Sequence, residues 1–393
     1  MQDSRRLQAV QTPIIPEIAE LIRSTPGTIS LGQGVVNYGP PAAASAQLGR
    51  FLSEPGNHKY QATSGLPDLI DALTRKLSAE NGVAVGPPHG NRLMVAAGGN
   101  QAFFNAALAI LDPGDEVILP VPYYFNHEMA IVMANARPVL VATDENYQLD
   151  IDAIRAAITP RTRAILTVSP NNPSGAVYPE AALRAVNALC AQHGLFHISD
   201  EAYEYFTYDG ARHFSPASIP DAAAHTISLY SMSKAYGFAS WRIGWLVYPE
   251  ALEAAMRKIQ DTVIICPPAV SQFAALGALQ EGHAFVQGKV EKLAKTRKTV
   301  KQHLLLLQEE GLADVPDAAG ALYFLLRLKS TLTPFEYAKR LIEQHHVAVI
   351  PGDAFGLTQG CHLRVAYGAL DAETAAEGVG RLVRGVRALA SGA

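Results

Sequence analysis

Residues 231–242 read Ser231-Met232-Ser233-Lys234-Ala235-Tyr236-Gly237-Phe238-Ala239-Ser240-Trp241-Arg242, directly behind the apolar run Thr226-Ile227-Ser228-Leu229-Tyr230. The run reads as a buried strand. Hydroxyls, one lysine, small residues and an arginine leave it together. A lysine at the mouth of a strand becomes an amine nucleophile when burial or cationic neighbours lower its pKa. Such lysines form Schiff bases with carbonyl compounds. Taken alone, Lys234 is better explained as a solvated loop residue, because Lys is mostly exposed. Its company across the chain shifts that balance. Asp200 ends the apolar run Leu195-Phe196-His197-Ile198-Ser199, and open α/β sheets bind ligands at the carboxyl ends of their strands. Asn172 lies in Ser169-Pro170-Asn171-Asn172-Pro173-Ser174-Gly175, a loop made rigid by two prolines and a glycine. Residues 92–97 run through Gly98-Gly99-Asn100-Gln101 into apolar residues at helical spacing. Free amides at such a helix start bind phosphate, although helix packing explains the glycines equally well. No Gly-Lys-Ser/Thr follows, so this is no Walker loop, and the dinucleotide fingerprint is incomplete.

The pattern Ser-x-Ser-Lys-x-x-Gly-x-x-x-x-Arg over 231–242 resembles the cofactor-lysine signature of the class I and II aminotransferases, fold-type I enzymes that use pyridoxal phosphate. The resemblance continues in family order from Gly32 to Arg364. It implies that Lys234 anchors the cofactor and moves a proton between the substrate Cα and the cofactor. It implies that Asp200 keeps the pyridine nitrogen protonated, that Ala202 packs beneath the ring and that Tyr124 stacks on it. Asn172 and Tyr203 are expected to hydrogen-bond the phenolic oxygen. Gly99, Asn100, Ser231, Ser233 and Arg242 are expected on the phosphate, Arg242 as a bidentate fork. Many relatives carry Ser or Thr where Asn100 stands, so its backbone amide is expected to matter more than its side chain. Tyr60 is expected to reach the phosphate of the other subunit. Gly34 borders the substrate, Asn172 contacts its carboxylate, and Arg364 in His362-Leu363-Arg364-Val365-Ala366 grips that carboxylate. His127 is expected either to support the cofactor aspartate or to lie on the surface. Glu201 is expected in solvent or in a salt bridge.

The elements that position these residues are read from periodicity and punctuation. Residues 1 to about 30 look like a helix-poor arm broken by Pro13, Pro16 and Pro26, followed by a short strand over 30–36. Ser64 is a candidate N-cap and Pro67 a first-turn residue. Asp150 is expected to cap a helix over 151–158, and Gly194 to end one over 179–193. A helix over 249–261 is broken by Cys266-Pro267-Pro268, and a long helix over 283–310 follows. Strands over 322–328, 347–350 and 362–366 alternate with helices over 334–344 and 372–389. The resemblance implies an α/β fold of the fold-type I class, with a mostly parallel seven-stranded sheet. The implied division is an N-terminal arm and part of the small domain over 1–41, a large cofactor-binding domain over 42–285, and a small α+β domain over 286–393 that uses both chain ends.

The chain of 393 residues is 49% hydrophobic and 17% charged, with a formal net charge of −4. That composition suits sizeable cores and gives no basic footprint for nucleic acid. No apolar run has membrane-spanning length, and the N-terminus lacks the apolar core of a signal peptide. The three cysteines, Cys190, Cys266 and Cys361, show neither metal spacing nor a disulfide framework, so no metal is expected and a cytoplasmic location is. The implied activity is transfer of an amino group from an L-amino acid to a 2-oxoacid by a pyridoxal-phosphate enzyme, acting as a homodimer. Relatives that act on dicarboxylates place a second cation for the distal carboxylate; Gln260-Asp261-Thr262, at one such position, and Val35-Val36-Asn37-Tyr38 offer none, so the resemblance implies a neutral or aromatic donor. The alternatives are a β-eliminating C–S lyase of cysteine conjugates and a catalytically idle binding protein that keeps the fold.

Overall fold

The computed structural model describes residues 4–392. Seven strands form its main sheet, in the spatial order Asn91–Ala96, Gly244–Pro249, Thr226–Ser231, Phe196–Asp200, Thr162–Val168, Glu116–Val121, Arg137–Ala142. Gly244–Pro249 runs antiparallel to both neighbours, and the remaining pairings are parallel. Two antiparallel steps in succession turn Asn91–Ala96 back to the common direction. The carboxyl ends of six strands therefore open on one edge of the sheet.

These segments are strands because helices cover both faces, so near-continuous apolar runs are buried throughout. Every residue of Thr226–Ser231 and of Gly244–Pro249 is buried. Successive side chains serve opposite faces. Met94 and Ala96 pack with Phe103 and Leu246 on one side, while Leu93 and Val95 join Trp245 on the other. The helix caps follow the local chemistry. Asp150 accepts from the Ala153 amide at the head of Ile151–Ala156, and Gly194, at φ 66°, ends Glu180–His193.

A smaller antiparallel sheet orders Ile350–Pro351, Cys361–Ala366, Tyr323–Leu328 and Ala313–Asp314. Helices Pro334–His345 and Ala372–Ser391 pack beside it. The N-terminal part of the chain joins this layer, since Ile29–Ser30 pairs in parallel with Val347–Ala348. The seven-stranded, mostly parallel sheet and the α+β layer drawn from both chain ends match the architecture expected from the sequence.

Several local expectations are corrected. The arm contains a helix, Ile14–Ser24, in which Pro13 is the N-cap and Pro16 stands in the first turn. Proline is tolerated there because first-turn amides have no intrahelical partner. Of the stretch over 30–36 only Ser30 is strand, as the second residue of Ile29–Ser30. Ser64 caps nothing. Leu66 is the N-cap of Pro67–Lys76, and the Ser64 carbonyl accepts from the Val95 amide at 2.9 Å. The span over 347–350 splits into Val347–Ala348 and Ile350–Pro351, in different sheets. Two helical segments, 269–281 and 283–309, meet at a kink where Gly282 adopts φ 55° and ψ −147°. The first of these was missed; its Gly277 lies so close to the helix Ala42–Ser53 that a Cβ would meet the Ala43 carbonyl carbon at 2.7 Å.

Candidate active site

The open edge of the main sheet delivers its side chains into a cavity of about 400 Å³. Most come from the last residue of a parallel strand or the turn behind it, while Arg242 comes from the turn ahead of the antiparallel Gly244–Pro249. The Thr226–Ser231 strand passes into the short helix Met232–Ala235, whose N-cap Ser231 accepts from the Ser233 amide at 3.1 Å. That turn sends Lys234 into the cavity, where its Nζ donates to the Gly34 carbonyl. Burial, followed by the charges of Arg364 and Arg242, lowers the Lys234 amine from its ordinary 10.5 to about 8, against the opposing pull of Asp200.

Asp200, at the end of its strand, is held from two sides. His127 Nε2 lies 3.0 Å from Oδ2, and the Ala202 amide donates to Oδ1 at 3.0 Å. His127 is buried, with its ring 4.4 Å from Phe103 and edge-on to Tyr124 at 5.2 Å. It therefore supports the aspartate and is no surface histidine. Tyr124 lines the cavity; its hydroxyl donates to Asn100 Oδ1 at 3.4 Å and accepts from Asn126 at 2.7 Å. The Asn100 side chain is thus spent on Tyr124, leaving its backbone amide for the cavity.

An anion-sized corner is formed by Ser231, Ser233, Arg242 and the start of helix Gly99–Ile110. Arg242 donates to the Ala239 and Ala97 carbonyls at 3.0 and 3.3 Å, and among the described residues no carboxylate pairs with it. Its guanidinium fills the space where a Cβ on Gly98 would stand; Gly98 has φ 87°, and such a Cβ would lie 2.7 Å from Arg242 Cζ. Sequence reasoning picked out Gly99 but not Gly98, whose need for a bare backbone depends on the Arg242 side chain arriving from 144 residues away, the difference between positions 242 and 98.

Arg364 also lines the cavity and is only 3% exposed. It donates to Asn172 Oδ1 at 2.9 Å and to the Gly32 carbonyl at 2.7 Å. Its Nε has no partner. A buried guanidinium with a free donor and no carboxylate among the described residues is costly unless a ligand anion completes it. Tyr203 is buried beside it, with its phenol pushed well above the usual value chiefly by burial.

The cavity thus collects Gly34, Gly99, Asn100, Tyr124, Asn172, Asp200, Ala202, Tyr203, Ser231, Ser233, Lys234, Arg242 and Arg364. Tyr60 is not in its own chain's cavity and is 79% exposed. Glu201, expected in solvent or in a salt bridge, is wholly buried and takes hydrogen bonds from Ser215 and from His213 at 2.9 Å. Gln260 faces the interior, donating to the Val95 carbonyl at 2.7 Å. The N-terminal helix contributes Ile15, Ile18, Ala19 and Ile22 to the wall. Their spacing of three and four was the available signal, hidden by the prolines beside it. Tyr323, also in the wall, had no local signal at all.

Residues 26–382 match the family described as aminotransferase class I and II. The chain is 34% identical over 395 residues to an aromatic aminotransferase of Arabidopsis thaliana, covering 98% of this chain and 96% of that one. It is 36% identical over 375 residues to an aspartate/prephenate aminotransferase of Thermus thermophilus, with 93% and 94% covered. Among solved structures it resembles an aspartate aminotransferase from Thermus thermophilus with maleate, at a TM-score of 0.89 and 33% identity, covering 98% of this chain and 100% of that one.

Proposed function

From the premise that this chain belongs to the class I and II aminotransferases and is a pyridoxal-phosphate-dependent aminotransferase, we propose that it takes its amino group from a neutral or aromatic L-amino acid and passes it to a 2-oxoacid. The observation that carries this is the convergence of the Lys234 amine, the Asp200 carboxylate and the Arg364 guanidinium on one cavity with an apolar wall. The donor set fits the cofactor. Arg242, Ser231, Ser233 and the amides of Gly99 and Asn100 suit its phosphate. Asp200 suits the ring nitrogen, Tyr124 and Ala202 the ring faces, and Asn172 with Tyr203 the phenolic oxygen. When bound, pyridoxal phosphate supplies an electron-poor ring that takes up the electron pair left when the substrate Cα–H bond breaks.

The rest is work for this chain's own residues. With its pKa lowered to about 8, Lys234 keeps a usable neutral fraction near pH 7 and can take the Cα proton and return it. Asp200 is held in place by His127 and the Ala202 amide, so its charge stays aimed into the cavity. The Nε of Arg364, without a partner among the described residues, leaves a donor for a substrate carboxylate. Ile15, Ile18, Ala19, Ile22, Phe125 and Ile350 then surround the substrate side chain. A distal carboxylate on that wall would lose water without gaining a cation, at a cost of several kcal/mol. The test compares phenylalanine and methionine with aspartate as donors, using 2-oxoglutarate and pyruvate as acceptors. Phenylalanine or methionine should exceed aspartate in kcat/KM by about tenfold or more; a preference for aspartate overturns the assignment. Nothing in the cavity favours the β-elimination alternative.

The wider setting is part of the same proposal. We infer a homodimer in which Tyr60 reaches the partner's phosphate site. Tyr60 is exposed together with Leu52, Ile265 and Val270, on segments joined by the Phe51–Phe273 ring contact at 5.7 Å and by the Gln61 amide on Cys266 Sγ at 3.4 Å. We divide the chain into a large domain over 42–285 and a small one from 1–41 and 286–393, with the Gly282 kink close to the second boundary. The three free thiols suit a cytoplasmic location.

A further inference from the structure

Tyr323 opens the strand Tyr323–Leu328 and is 1% exposed. Its hydroxyl is hydrogen-bonded to the Tyr203 hydroxyl. The Arg364 guanidinium lies 4.5 Å over its ring. Gly34 approaches it so closely that a Cβ there would overlap the Tyr323 hydroxyl and stand 3.3 Å from Cζ. The backbone behind it is fixed as well. The Gly320 amide donates to the Gly175 carbonyl at 2.8 Å, and a Cβ on Gly175 would meet the Tyr323 carbonyl at 2.7 Å. The side chain thus touches the segment of Gly34, the turn behind Asp200 and the Arg364 guanidinium, while the backbone lies against the loop that carries Asn172.

Two hydroxyls that share one hydrogen bond have one proton left over. If Tyr203 donates to Tyr323, its proton is spent. If Tyr323 donates to Tyr203, the Tyr203 proton is free for an acceptor in the cavity. The guanidinium pulls both phenols down, but it lies over the ring of Tyr323, and that contact favours Tyr323 as the donor. A positive charge over the Tyr323 ring makes its phenol a better donor and a worse acceptor. Burial raises the Tyr323 phenol, and Arg364 pulls the other way. A chain of donors that starts beside a cation polarises each bond along it.

We propose that Tyr323 is a positioning residue that couples the carboxylate grip of Arg364 to the hydroxyl of Tyr203, donating to Tyr203 and so directing its proton to the cofactor's phenolic oxygen. The proposal rests on the assignment of Tyr203 to that oxygen made above. It gives the site a way to sense substrate. A carboxylate on Arg364 neutralises the charge, Tyr323 donates less strongly, and so does Tyr203.

The experiment titrates the visible absorption of the cofactor-loaded enzyme against pH in wild type, Y323F, Y203F and the double variant. A phenolic oxygen with a weaker donor holds the neighbouring proton more tightly, so the midpoint rises. In Y323F it should rise by about 0.5, the pKa equivalent of a weakened hydrogen bond, and in Y203F by more. Because Tyr323 acts through Tyr203, adding Y323F to Y203F should change nothing further. An unshifted Y323F, or shifts that add, overturns the proposal while the cofactor assignment stands. No visible band in wild type overturns both. Should Y323F fail to fold, 3-phenylpropionate serves as a carboxylate that occupies Arg364 without reacting. It should raise the midpoint of wild type more than that of Y203F, and equal rises overturn the coupling.

Discussion

Replacing Lys234 by methionine should abolish transamination and, in the cofactor-free protein, make the fold more stable near pH 7. The amine is lowered from 10.5 to about 8, first by burial and then by the two guanidinium groups. Below about 8 both folded and unfolded chains hold the proton, so the folded chain bears the whole cost of a buried ammonium. Between about 8 and 10.5 the folded chain has released the proton and the unfolded chain has not, so stability rises with pH across that window. A pKa difference of about 2.5 corresponds to about 3 kcal/mol. Loss of the hydrogen bond to the Gly34 carbonyl offsets about 1 kcal/mol, leaving about 2 kcal/mol in favour of K234M. At an unfolding entropy of about 2.1 cal/mol/K per residue, a chain of 393 residues gains about 2–3 °C in Tm. The assay is thermal unfolding of cofactor-free wild type and K234M at pH 7, 8, 9 and 10. The Tm gap should be largest at pH 7 and shrink as pH rises. A variant less stable than wild type at pH 7, or a gap that does not change with pH, refutes the account of the lysine.

Two further substitutions test the two guanidinium groups of the cavity. Arg364→Lys keeps the charge but loses the planar fork, about 2 kcal/mol, so KM for the amino donor should rise about 30-fold. Cofactor affinity, followed by absorbance titration, should change little; an unchanged KM would remove Arg364 from carboxylate recognition. Gly98→Ala places a methyl group against Arg242 at a backbone φ of 87°, so the Kd for pyridoxal phosphate should rise about tenfold or more. Excess cofactor should restore turnover, and an unchanged Kd would show that Arg242 is not held for the phosphate.

Much of this was legible along the chain. Strands such as Thr226–Ser231 are rich in apolar residues, and Lys234, Asp200 and Asn172 stand at or just behind the ends of such runs, so they could be matched to strand ends without coordinates. The order of motifs carried the fold class. The misreadings have a common cause. Pro13 and Pro16 look like breakers, yet they begin a helix whose Ile15, Ile18 and Ile22 line the cavity, a contact made only in three dimensions. Glu201 reads as an acid in solvent or in a salt bridge; it is buried, and pairs there with His213 and Ser215.

By itself the sequence determined the residue types able to do the chemistry, the periodic elements that carry them and the order in which they occur, since these depend on neighbours a few positions away. Only the tertiary structure decided that no carboxylate among the described residues pairs with Arg364, that burial and two guanidinium groups lower the Lys234 amine to about 8, and that Tyr323 joins Arg364 to Tyr203. Charge interactions and desolvation depend on distances in space. Tyr323 and Tyr203 are 120 positions apart in the chain and share one hydrogen bond in the fold.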